Sequence, residues 1–178
     1  PAGLSAALAA AESGGEVVLI DENPQPGGSL TYARVDANGT QAERIRKELL
    51  AGVRARANIR VLSDAMCSGL FADNWLPVLR GNRLYKLRAK AVVVATGAIE
   101  QPAVFRNNDL PGVMFASAAQ RLIRLYGVKP GTRAVILAAN DSGYAAALDL
   151  LDIGVAVAAV VDLRPQPKAS DLARAVTR

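Results

Sequence analysis

The sequence predicts an α/β fold built on parallel strands, and three observations predict it. Val17-Val18-Leu19-Ile20 and Ala91-Val92-Val93-Val94-Ala95 are unbroken apolar runs rich in β-branched residues, the pattern of strands buried on both faces of a parallel sheet. A helix of small residues leads into the first run. Towards the other end a strand, a helix and a second strand follow within about thirty residues, the size of a βαβ unit.

Each element follows from its residues. Alanine and leucine give Leu4 to Glu12 high helix propensity, and Gly14-Gly15 stops the helix. The strand Val17 to Ile20 ends in Asp21-Glu22, and Asn23-Pro24-Gln25-Pro26-Gly27-Gly28 must be loop. From Gln41 to about Ala55, Ile45, Leu49 and Val53 fall four apart with charges between them, one stripe of an amphipathic helix. A short strand is expected from Ile59 to Leu62. Two strand-like stretches between Leu76 and Ala89 flank Gly81-Asn82, a two-residue turn that tolerates positive φ, so this segment is an edge β-hairpin. Pro77 cannot donate to a ladder and points to the edge of that sheet. Ala91 to Ala95 is the second buried strand and runs straight into Thr96-Gly97.

The stretch from Gln101 to Gly112, rich in Pro and Asn, closes a first unit, so the expected division is 1–111 and 112–178. In the second unit a helix is expected near Ser117 to Tyr126, then a turn at Lys129-Pro130-Gly131. The strand Ala134 to Ala138, the helix Gly143 to Ile153 stopped by Gly154, and the strand Val155 to Asp162 make the βαβ unit. Ser170 to Arg178 opens like a helix and ends before it can pack.

Composition sets limits on function. The 178 residues are 51% hydrophobic and 21% charged, enough for a packed core and incompatible with disorder or low complexity. No apolar run approaches the roughly 20 residues of a membrane helix, and no secretory leader pattern is visible. One cysteine, Cys67, excludes an intrachain disulfide and any C-x-x-C pair; a cytoplasmic location fits. The absence of histidine removes histidine-based triads and zinc hydrolysis, and no metal ligand set is expected. The net charge is +5, but Arg44, Arg46, Lys47, Arg54, Arg56, Arg121 and Arg124 are scattered and interleave with Glu43 and Glu48. With only 4% aromatic residues to stack on bases, no nucleic-acid partner is expected. Cys67 reads as a small core or loop residue. Phe71, Trp75 and Leu76 read as packing between hairpin and sheet, and Tyr126 and Tyr144 as helix packing.

Pro1-Ala2-Gly3-Leu4, a helix, and a strand ending in an acid form the back half of a dinucleotide fingerprint. Gly3 would let the helix lie close on the strands. An acid about 20 residues on would accept hydrogen bonds from the adenosine ribose, and Asp21 stands 18 residues after Gly3, with Glu22 the other candidate. The first strand and the first two glycines of such a motif are expected before Pro1. Ala95-Thr96-Gly97 places a hydroxyl and a bare backbone at the carboxyl end of a strand, where ligands sit in open parallel sheets. In the second unit the turn Ala139-Asn140-Asp141-Ser142-Gly143 has one glycine where a phosphate loop needs two or three, and Asp141 would face the phosphates. That unit is expected to be structural, with Asp162 the relic of its ribose acid.

Through Gly3-Leu4, Asp21-Glu22, Pro26-Gly27-Gly28 and Ala95-Thr96-Gly97 the sequence resembles the Rossmann-like, two-dinucleotide-binding-domain oxidoreductases of the pyridine nucleotide-disulfide oxidoreductase type. The likeness narrows at three stretches: Ala95 to Pro102, Asp109-Leu110-Pro111-Gly112-Val113-Met114, and Ala118-Ala119-Gln120-Arg121-Leu122. It continues through Ala139-Asn140-Asp141 to Val160-Val161-Asp162-Leu163-Arg164-Pro165. Over essentially the whole chain it resembles the alpha subunits of heterotetrameric, bacterial-type sarcosine oxidases. The resemblance implies NAD bound in this region, FAD in a beta subunit, with covalent FMN at the alpha–beta boundary, in a complex that demethylates sarcosine to glycine with oxygen as acceptor. It makes Gly3, Asp21, Glu22, Gly27, Gly28, Thr96 and Gly97 candidate nucleotide contacts and none of them catalytic.

Three other readings remain open on the residues. The first site can hold FAD, as in a reductase; the nucleotide can brace an assembly without taking part in chemistry; or the chain by itself binds none, its phosphate turn being absent. The expected partners are the other subunits of a heterotetrameric oxidase. Self-association is also expected, because strand edges without a central neighbour invite pairing.

Overall fold

The computed structural model describes residues 1–165 and 170–176. They form two compact units, Pro1–Ser29 with Ile45–Gly97, and Leu30–Arg44 with Ala98–Arg178. A division at 111/112 differs from this in two places. Leu30–Arg44 makes its buried contacts with helices of the second unit, and Glu100 does the same by accepting from the Ser117 N–H at 2.9 Å. No helix among the described residues is long and apolar enough to cross a membrane.

The first unit contains α1 (Ala2–Glu12), β1 (Val17–Ile20), most of α2 (Gln41–Arg54), β2 (Ile59–Leu62), β3 (Ala65–Cys67), β4 (Trp75–Arg80) and β5 (Arg83–Arg88). Helix α1 buries Leu4, Ala7 and Ala11, the i, i+3, i+7 face its small residues allow. The Asn58 side chain donates to the Ala11 and Gly15 carbonyls at 3.0 and 2.9 Å, tying the end of α1 to the start of β2. Strands β1 and β2 run parallel from Val17↔Ile59 to Ile20↔Leu62.

Two strand expectations need correction. Strand β1 is only partly buried: Val18 remains 45% exposed, while Ile20 on the same face packs on the core of Leu62, Ala65, Leu76 and Val78. Residues 91–95 form no ladder, and Val93 and Val94 are each 70% exposed. A β-branched run becomes a strand only beside a neighbour that satisfies its N–H and C=O groups, and no described strand lies beside this one. Val92 instead packs on the core of Leu62, Ala65, Leu76 and Val78, and Ala95 lies against Gly3.

The hairpin forms around Gly81, at φ 54°, but within a three-stranded antiparallel sheet of order β3-β4-β5. Pro77 therefore sits in the central strand rather than at an edge. Its position explains how: β3 ends at Cys67, opposite Val78, and the next pair would be Ser68 and Pro77. Ser68 N–H donates to the Pro77 carbonyl at 3.1 Å, and proline has no N–H to return the bond. Cys67 is exposed at this strand end. The Phe71 and Trp75 rings meet at a centroid distance of 5.1 Å, tilted by 53°, with Leu76 buried beside them in sequence.

The second unit contains α3 (Ala116–Tyr126), β6 (Arg133–Ala138), α4 (Ser142–Asp152), β7 (Ala156–Asp162) and α5 (Asp171–Val176). Strands β6 and β7 are parallel, as a helical crossover requires, with a register shift between Ala134 and Val135. Ile136, Ala147, Leu150 and Val155 form the core between strands and helix. Val135 and Leu137 alternate to the other face and stay exposed. Helix α5 does pack, Val176 joining this core; residues 177–178 lie outside the described residues. Tyr126 is 70% exposed at the last residue of α3 and packs little.

Candidate nucleotide site

The carboxyl end of the β1–β2 pair positions Asp21. Its N–H donates to the Leu62 carbonyl at 3.0 Å and its carbonyl accepts from Ala65 N–H at 3.1 Å, so the backbone is held on both sides. Its Oδ1 accepts from the backbone N–H and the side-chain Nδ2 of Asn23, at 2.9 and 3.0 Å, a local turn that orients the carboxylate at the strand end. Glu22 follows, exposed.

Further along the loop, Gly27 and Gly28 adopt φ of 139° and 55°, values that side-chain-bearing residues rarely take. A Cβ on Gly28 would stand 3.6 Å from Pro1 Cδ, so this turn reaches the residue that precedes α1. Ala95 comes to the same helix end, where a Cβ on Gly3 would be 3.5 Å from the Ala95 Cβ and 3.7 Å from Leu19 Cδ1. Thr96 and Gly97 follow Ala95, both exposed, Gly97 at φ 81°. Pro1–Gly3, Gly27–Gly28 and Ala95 are thus brought together at the amino end of α1; Asp21 and Glu22 stand at the end of β1. The first turn of α1 carries no acid, and its outward N–H groups favour an anion. The spacing at Gly3 is ordinary van der Waals contact, so a methyl group fits there. The close approach expected of Gly3 is not required by the packing.

That approach occurs in the second unit. A Cβ on Gly143 would lie 2.5 Å from the Ala138 Cβ, so the glycine is what lets α4 sit on the end of β6. The carboxyl end of this βαβ unit is filled by its own side chains. Arg164 pairs with Asp141 at 2.9 Å and with Asp162 at 2.6 Å, while Tyr144 donates its hydroxyl to Asp162 at 3.0 Å. The Arg164 side chain and N–H hold the Asp162 carboxyl well below the usual carboxylate range. Hydrogen bonds to Asp162, then Asp141, raise the Arg164 guanidinium, and burial followed by the Asp162 hydrogen bond raises the Tyr144 hydroxyl. Asn140 Oδ1 accepts from Ser142 N–H at 3.0 Å, closing the turn where a phosphate would approach.

The sequence pattern that defines the pyridine nucleotide-disulphide oxidoreductases matches residues 1–178. The chain belongs to this family. It is therefore part of an oxidoreductase, from a family of dinucleotide-binding flavoproteins. It is 37% identical over 182 residues to the sarcosine oxidase alpha subunit of Rhizobium meliloti (strain 1021), matching 93% of this chain and 18% of that protein. The sarcosine oxidase alpha subunit of Corynebacterium sp. (strain P-1) is 35% identical over 92% of this chain. An opine oxidase subunit of Agrobacterium tumefaciens (strain Ach5) is 32% identical over 94% of this chain and 36% of its own length. The crystal structure of L-proline dehydrogenase from P. horikoshii superimposes with a TM-score of 0.78 at 27% identity, over 90% of this chain and 33% of that one. The chain spans 18–36% of the length of these curated relatives.

In this pyridine nucleotide-disulphide oxidoreductase, sequence reasoning missed one group. Arg34 and Asp149, with side chains 2% and 0% exposed, meet at 2.9 Å, and Asp149 also accepts from Arg124 and from Gln120 Nε2 at 2.8 Å. Arg34 further donates to Asp152 and to the Ala37 carbonyl. No local pattern announces a pair 115 residues apart.

Proposed function

We propose that the first unit binds the adenosine-pyrophosphate half of a dinucleotide, NAD in our reading, as the nucleotide-binding region of a sarcosine oxidase-like alpha subunit. The observation that carries it is the arrival of the Gly27-Gly28 turn at the amino end of α1, with Asp21 at the end of the neighbouring strand. These residues fit the group: the amino end of α1 for the pyrophosphate, a carboxylate for the ribose hydroxyls, and glycines without side chains in the adjoining loop. Gly3, Gly27, Gly28, Thr96 and Gly97 would line the phosphates, and Asp21 or Glu22 would accept from the ribose. When bound, a nicotinamide dinucleotide supplies a hydride acceptor or donor. The chain's own residues bind and orient it, and none is placed to move a proton.

The relatives named as alpha subunits of sarcosine oxidase support an assembly with other subunits that oxidatively demethylates sarcosine to glycine. The second unit is read as a scaffold, since its strand-end acid is engaged by Arg164 and Tyr144. A cytoplasmic location fits the single exposed cysteine, and the exposed Val93, Val94 and Val135 favour association of the isolated chain.

The test is to release the bound dinucleotide from the purified full-length protein, wild type and Asp21→Ala, and identify it by chromatography and absorbance. NAD from the wild type, lowered at least tenfold by the substitution, is the expected result. A flavin lost on Asp21→Ala would replace NAD by FAD at this site. Equal content in both proteins would overturn the assignment of the site.

A further inference from the structure

We propose that Asn23 is a positioning residue for the dinucleotide site: it takes up one oxygen of Asp21 and aims the other at the adenosine ribose. The proposal rests on the nucleotide reading of the first unit and decides between its two candidate acids, Asp21 and Glu22.

Both acids stand at the end of β1, but only one is held. Oδ1 of Asp21 accepts from the Asn23 backbone N–H at 2.9 Å and from Asn23 Nδ2 at 3.0 Å. A carboxylate oxygen has two lone pairs, so Oδ1 is fully engaged. Oδ2 has no partner among the described residues, and the two bonds to Oδ1 fix where it stands. Glu22 is exposed, and no hydrogen bond or ion pair among the described residues holds its longer side chain. An acceptor already fixed gives up less rotamer freedom on binding than one that must first be ordered, which favours Asp21.

Asn23 is itself held. Its carbonyl accepts from the Asp64 N–H at 3.2 Å, in the link between β2 and β3 whose Leu62 carbonyl and Ala65 N–H already clasp the Asp21 backbone. Asp64 makes this contact at φ 50°, in the left-handed region that residues other than glycine rarely adopt. The link thus closes on Asp21–Asn23 at three points. The side-chain chemistry fits as well. Facing a carboxylate, the Asn23 amide can present only its NH2, and a hydrogen bond to a charged acceptor is stronger than one between neutral groups. Asn23 is exposed, so its amide serves the carboxylate and not the packing of the core. A nucleotide without ribose hydroxyls therefore gains nothing from Asn23.

The experiment uses the full-length protein freed of bound dinucleotide. Calorimetry measures the binding of ADP, the portion that NAD and FAD share, and of 2′,3′-dideoxy-ADP, which lacks both ribose hydroxyls. Wild type, Asn23→Ala, Asn23→Ser, Asp21→Ala, Glu22→Ala and the Asn23→Ala, Asp21→Ala double variant are compared. Asn23→Ala is expected to weaken ADP about fivefold, the worth of one hydrogen bond, and to leave dideoxy-ADP unchanged. Asn23→Ser, whose hydroxyl can donate to the same oxygen, should fall between. In the Asp21→Ala background Asn23→Ala should have no further effect, because its action passes through Asp21. Equal weakening of both nucleotides, or the same loss of ADP binding with and without Asp21, would make Asn23 a support for the loop alone and overturn the proposal. So would unchanged ADP binding in Asn23→Ala, or a loss on Glu22→Ala in place of Asp21→Ala. A wild type that binds neither nucleotide overturns the nucleotide reading itself, and the proposal with it.

Discussion

Gly143 and Ala138 approach so closely that the smallest side chain on Gly143 would stand 2.5 Å from the Ala138 Cβ. The Ala138 Cα is 3.3 Å from the same point, so relief requires moving backbone. Gly143→Ala is expected to destabilise the second unit by about 1–3 kcal/mol, the range for overpacking a tight contact, read as a lower denaturant midpoint at unchanged slope.

Gly3→Ala is the contrasting case. Its neighbours lie at 3.5 and 3.7 Å, and the residue is helical, so stability should hold or rise by up to about 1 kcal/mol. A loss as large as that of Gly143→Ala would show that α1 packs more tightly than these distances.

Asp149→Ala leaves the Arg34 and Arg124 guanidiniums facing one another without the carboxylate between them. Breaking a buried pair from one side costs about 3–5 kcal/mol, far more than a surface pair. Chemical denaturation should place this variant well below a change at the exposed Arg174–Asp171 pair, for which about 0–1 kcal/mol is expected.

Acid should loosen the second unit through Asp162. Its carboxyl is depressed below the ordinary value of 3.8 by the Arg164 side chain and N–H. A depressed acid contributes stability that is complete above its unfolded value and is lost as pH falls through that value towards the folded one. The gap between wild type and Arg164→Met in denaturant midpoint should therefore be constant near neutrality and narrow below about pH 4. A gap unchanged down to pH 2 would show that Asp162 owes nothing to Arg164.

Pro77 interrupts one bond of the β3–β4 ladder, since Ser68 donates to its carbonyl and receives nothing back. Pro77→Val supplies the missing N–H towards Ser68 and suits a pleated strand. Slower exchange at the amide of position 77 than at exposed loop amides, with β3 lengthened to Ser68, is the outcome that supports this account of where β3 stops.

What was legible in the sequence was local. The helices, the Gly81-Asn82 hairpin and the βαβ unit each announce themselves through periodicity or turn chemistry within a few residues. The Ala91–Ala95 run misled because apolar composition records a demand for burial without recording whether a neighbouring strand is there to meet it. Gly3 and Gly143 are alike in sequence, each near the start of a helix, and only the distance to the facing strand tells which one is sterically required. Asp162 was visible as a strand-end acid. Its capture by Arg164 depends on a side chain folding back over two residues, which no spacing rule predicts. The Arg34–Asp149 pair lay furthest from view, since Arg34 alone looks like an ordinary surface charge and Asp149, set between Leu148 and Leu150 in α4, carries no pattern that names its partner.

The long separation of that pair matters for the order in which the protein is made. Leu30–Arg44 emerges from the ribosome well before Gln120, Arg124, Asp149 and Asp152, and at roughly 5–20 residues per second the wait from Arg34 to Asp149 is on the order of ten seconds. During that interval the segment has no receptor for its arginine. Leu30–Arg44 therefore cannot finish folding as it is synthesised, and nascent chains stalled before α4 should be cut by protease between Leu30 and Arg44.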